Sequence, residues 1–177
     1  MQNLWRVQTE EKIRTPHDII SEQCEYLSEM TNGTVIARIA PYDGDYKSRY
    51  KLDELAEHAF IQNMSFDVQN VLGDQQSKFI YEFYITAKAV PKYKYRIMFL
   101  AYRVAAIYPV EVSLEKSIAD ELGMEESEFL ISSEEELTEL IGEVLGSKRI
   151  SAVVSNLINI EWSEITLSKK IKKVIDK

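Results

Sequence analysis

Cysteine is nearly absent. Cys24 is the one thiol in 177 residues, which excludes an internal disulfide and fits a reducing compartment. Histidine is almost as scarce. His17 and His58 stand alone, and Glu54 and His58 at i, i+4 find no second His/Cys cluster to complete a metal shell. The six glycines are scattered, and neither G-x-G-x-x-G nor G-x-x-x-x-G-K-[ST] occurs, which removes the common phosphate-binding loops. No apolar run approaches the roughly 18 residues of a spanning helix. The opening residues, MQNLWRVQTEEK, lack the apolar core of a signal peptide. The expectation is a cytoplasmic protein with one globular domain over residues 1–177. Its formal charge of −8 opposes general affinity for nucleic acid or anionic membrane.

What is present is a dense β-forming stretch from Phe79 to Leu114. FIYEFYITA, YKYRIMFLAYR and YPVEVSL are rich in β-branched and aromatic residues and predict three consecutive strands. Strict alternation places Phe79, Tyr81, Phe83, Ile85 and Ala87 on a core face. It places Tyr93, Tyr95, Ile97, Phe99 and Ala101 there too, with Val110, Val112 and Leu114 from the third strand. The reverse face is then partly apolar through Ile80, Tyr84, Met98, Leu100 and Tyr102, and needs cover from this chain or from a partner.

Around this sheet the pattern turns helical. Thr15-Pro16-His17-Asp18 is a helix start, and Ile20, Cys24, Leu27 and Met30 recur at helical spacing before Asn32-Gly33. Thr34–Ala40 predicts a strand, 52–62 a short helix, and Met64–Leu72 another strand. Glu115–Leu122 predicts a short helix closed by Gly123. Ser132 or Ser133 caps a helix carrying Leu137, Leu140, Ile141, Val144 and Leu145, and Ser147 opens one carrying Ile150, Val153, Val154, Leu157 and Ile158. The lysines of 163–177 mark a peripheral basic helix. The fold class is therefore α+β: a mostly antiparallel sheet of about five strands, an N-terminal helix and a C-terminal helical hairpin.

No catalytic signature is found, and no cofactor or metal is implied. Cys24 lies on an apolar stripe, and the acid runs Glu125–Glu128 and Glu134–Glu136 suit solvated helix starts. In Lys92-Tyr93-Lys94-Tyr95-Arg96 the alternation puts rings and cations on opposite faces, against an RNA-stacking platform. Charge segregation is the signal that remains. Glu111–Glu143 holds twelve acids and one base, Lys116, whereas Lys78–Arg103 holds six bases and one acid, Glu82. This points to a non-enzymatic protein-binding module with a protein partner of basic character, such as an immunity protein, antitoxin, inhibitor or accessory subunit of a bacterial system. Its candidate contacts are Tyr84, Met98, Leu100 and Tyr102, with Glu125, Glu126 and Glu128. The alternatives are a small hydrolase or nucleotide-handling enzyme with a dispersed site, and an RNA-binding module using Lys92–Arg96.

Overall fold

The computed structural model describes residues 13–46, 78–104 and 106–175. The expected helix over 52–62, the strand Met64–Leu72, and Glu54 with His58 lie outside them.

Helix α1 (Pro16–Met30) begins on a complete capping box. Asp18 N–H donates to Thr15 Oγ1 at 3.1 Å, and the Asp18 carboxylate reaches back toward the Thr15 N–H. Pro16, Ile19 and Ile20 are buried, while Cys24 and Leu27 are half-buried against the same core. Met30 is 81% exposed, so the apolar stripe ends one turn earlier than its spacing predicts. Asn32 and Gly33, at φ 50° and 69°, take the left-handed conformations that turn the chain into β1 (Val35–Pro41).

Strands β2 (Lys78–Ala87), β3 (Val90–Arg103) and β4 (Val110–Leu114) follow. A short helix, α2 (Lys116–Glu121), leads to β5 (Glu128–Ile131). The sheet is antiparallel throughout in the order β1-β2-β3-β4-β5. The fifth strand is a difference from the sequence reading, which took the acid run Glu125–Glu128 for a solvated helix start. Four residues, EFLI, set between acid runs are too short to show a period. Helix α3 (Glu134–Gly146) is capped by Ser133 and buries Leu137, Leu140, Ile141 and Val144. Helix α4 (Lys148–Ile175) opens on Ser147, whose Oγ accepts from Ile150 N–H at 3.3 Å. It runs unbroken for 28 residues, so the basic segment continues it through Ile175. None of the described helices is long and apolar enough to cross a membrane.

The two faces of the sheet differ from simple alternation for one reason. Phe83 pairs with Met98 but Tyr84 pairs with Arg96, which leaves Ile97 as an extra, bulged residue. A single inserted residue reverses the facing of everything beyond it. Met98, Leu100 and Tyr102 thereby join Phe83, Ile85, Val110 and Val112 in the core beneath the helices. Phe99 moves to the reverse face, where Tyr42 meets it edge-on at 4.8 Å and Tyr46 lies 5.8 Å away.

The outer edge of β1 is closed by its neighbours. Lys88 N–H donates to Thr34 O, and Tyr42 N–H to Ile80 O. Even-numbered residues of β1 therefore aim their backbone at β2, and odd-numbered ones aim outward. Thr31 Oγ1 accepts from Val35 N–H at 3.2 Å and lies 3.0 Å from Val35 O. Ile39 N–H is directed at the Cys24 sulfur, and Pro41 has no N–H to offer.

Candidate functional site

A groove opens at the hairpin end of the reverse face, and the register explains it. Between the pairs Ile85–Tyr95 and Ala87–Val90, β2 has Thr86 alone where β3 has Pro91, Lys92, Tyr93 and Lys94. The surplus cannot pair, so the β3 arm splays. On the other side β1 contributes Ile36 and Arg38, opposite Thr86 and Tyr84. The resulting groove encloses about 470 Å³. Thr86 Oγ1 is buried in its lining without a hydrogen-bond partner.

The cations in and beside it fall into two sets. Lys94 Nζ is ion-paired with Glu82 Oε1 and sits 4.1 Å from the centre of the Tyr84 ring. Arg96 Nε donates to Glu82 Oε2 at 2.9 Å, and its guanidinium lies 4.9 Å from the centre of the Phe99 ring. Glu82 is only 6% exposed. Burial works to raise its pKa, but hydrogen bonds from Lys94 and Arg96 outweigh it and hold the carboxyl below the usual range. Arg38, Lys88 and Lys92 form the second set and make no ion pair among the described residues.

The acidic region carries a different load. Glu115 caps α2, accepting from Ile118 N–H at 3.1 Å and Tyr95 O–H at 3.2 Å. Glu121 spans the start of α4, accepting from Lys148 N–H at 2.6 Å and Arg149 N–H at 3.0 Å. Glu136 accepts from Ser132 N–H at 2.8 Å, and Glu134 from Arg14 N–H at 3.2 Å. Glu111 is 1% exposed on the reverse face. Near it, burial first and then the Glu111 and Glu128 carboxylates push the Tyr46 hydroxyl well above its ordinary range. Much of the acid run thus serves helix ends and the sheet.

The residues expected to meet a partner do not converge. Tyr84 lines the groove. Met98, Leu100 and Tyr102 are 1%, 0% and 3% exposed within the core, because the bulge at Ile97 turned them inward. Glu125 and Glu126 are exposed in the loop after α2, and Glu128 pairs with Ser113 in β5. Arg38, Thr86 and Lys88 were missed, since only cross-strand register brings them beside Lys92 and Lys94.

Two arrangements resemble catalytic ones and fail, the first on geometry and the second on acidity. Ser21 Oγ and Asp18 Oδ1 lie 3.4 and 3.9 Å from His17, but both face Nδ1. A relay needs its two partners on different ring nitrogens. The Cys24 thiol is pushed up to about 11, chiefly by burial with a contribution from Glu25, and against the Ile39 N–H. That is the reverse of nucleophile activation. Comparison with protein-family models, with curated proteins and with solved structures found no match for this chain.

Proposed function

We propose that this protein is a non-enzymatic binding module that holds another protein through the cationic end of its sheet. The observation that carries the reading is the trio Arg38, Lys88 and Lys92. They face one groove without counter-charges among the described residues, in a chain with 29 acids and 21 bases. Like charges held together repel, and acids are plentiful elsewhere in the sequence. A cationic concavity in an acidic protein instead concentrates field on an incoming anionic group. An inhibitor, an immunity protein or an accessory subunit would use a surface of this kind. The partner this favours is acidic. The basic partner expected from the Glu111–Glu143 run loses support, because Glu115, Glu121, Glu134 and Glu136 are engaged within the chain.

The test is affinity purification of the tagged full-length protein from its native cells, followed by native mass measurement of the complex. A stoichiometric protein partner, released by raised salt, is expected. Elution of the protein alone under gentle, low-salt conditions would remove the reading.

A further inference from the structure

We infer that the groove between β1 and the β2–β3 hairpin takes an extended, acidic protein segment laid across the face of the sheet, with carboxylates meeting Arg38, Lys88 and Lys92. The inference rests on the binding-module reading and adds the chemistry and pose of what is bound. The sign of the ligand follows from the cations. Arg38 stands on β1 opposite Tyr84, while Lys88 follows β2 and Lys92 belongs to the surplus arm of β3, so positive groups flank the groove on both sides. Its size, about 470 Å³, exceeds what one inorganic anion fills and suits several linked groups. Ile36, Ala87 and Pro91 add apolar lining, which an extended peptide can meet with its intervening side chains.

The pose follows from the edge of β1. Val35 N–H is taken by Thr31 Oγ1, Ile39 N–H faces Cys24 and Pro41 has no N–H, so an incoming strand finds few donors along β1. Recognition falls to side chains on the face. A single-stranded nucleic acid fits less well. Such ligands are held by bases stacking on open aromatic rings. Lys94 already covers Tyr84, and Arg96 covers Phe99. Tyr93, at 42% exposure, is the large aromatic left open in the lining.

The experiment uses the full chain and a fluorescein-labelled peptide alternating glutamate with serine. Its glutamine analogue and a labelled single-stranded oligonucleotide are the comparison probes, all followed by anisotropy at low and moderate salt. The glutamate peptide is expected to bind and the glutamine peptide not to. Arg38→Glu with Lys92→Glu should weaken glutamate-peptide binding by about tenfold or more. Both positions are exposed, so thermal melts should overlay the wild type. Lys116→Glu on α2 makes the same kind of charge change away from the groove and should leave binding intact. Absent peptide binding, binding unchanged by the double variant, or tighter binding of the oligonucleotide would each overturn the assignment. A native protein partner retained equally by wild type and double variant would also overturn it, while the binding-module reading stood. Absence of any protein partner removes that reading itself.

Discussion

Arg96 and Glu82 are joined across the β2–β3 register by a 2.9 Å hydrogen bond from Arg96 Nε to Glu82 Oε2, and Lys94 approaches the other carboxylate oxygen. A nearly buried acid thus organises two cations on an otherwise positive surface. Its carboxyl lies below the ordinary value of 4.5. A lowered folded-state pKa gives stability that is present above the unfolded value and lost as pH falls through the folded one. Urea melts of wild type and Glu82→Gln should therefore differ at pH 7, with the variant less stable, and should converge as pH drops below 4.5. Parallel curves down to pH 3 would show that the pair contributes nothing.

Thr15→Ala removes the acceptor for Asp18 N–H and breaks the capping box that starts α1. The expected loss is about 0.5–2 kcal/mol, read from the midpoint of a denaturant melt. Thr15→Asp should recover most of it, because a carboxylate can serve the same donor.

The bulge at Ile97 predicts an order of costs that simple alternation would invert. Leu100, fully buried beneath the helices, should lose about 2–5 kcal/mol on change to Ala. Phe99 is only half-buried on the reverse face, and Phe99→Ala should cost less than Leu100→Ala in the same melts. The opposite order would place the bulge elsewhere.

Cys24 should be a slow thiol. With its pKa near 11 in place of 9.0, the folded protein holds about a hundredfold less thiolate at pH 8. Disulfide-exchange reagents should react slowly at that pH and much faster in denaturant. A raised folded-state value also means that this contribution to stability is complete below pH 9 and fades toward pH 11. Rapid labelling of the native protein at pH 8 would contradict the burial.

The helix starts and the antiparallel α+β plan were legible because caps and periods are local, whereas β5 was not. Thr15, Ser133 and Ser147 each announce a helix within four residues. The groove was not legible, since it depends on which residue faces which across strands. One unpaired residue at Ile97 moved Met98, Leu100 and Tyr102 from surface to core, and no residue type in the sequence marks that position. Runs of glutamate misled for a related reason. Glu115 and Glu121 are adjacent in charge but separate in duty, and only the folded chain shows the N–H groups they serve.

The closed margin of β1 sets how this molecule meets copies of itself. Sheet proteins at high concentration risk polymerising strand to strand when a margin offers a continuous row of amides. Here that row is interrupted by a threonine hydroxyl at Val35, a sulfur at Ile39 and a proline at Pro41. An added copy would meet carbonyls but, among the amides of that row, only that of Ala37, too few donors to zip a second sheet along this margin. Crowding should therefore leave this margin without fibrous growth, whatever the acid content of the surrounding medium does to the molecule's net charge.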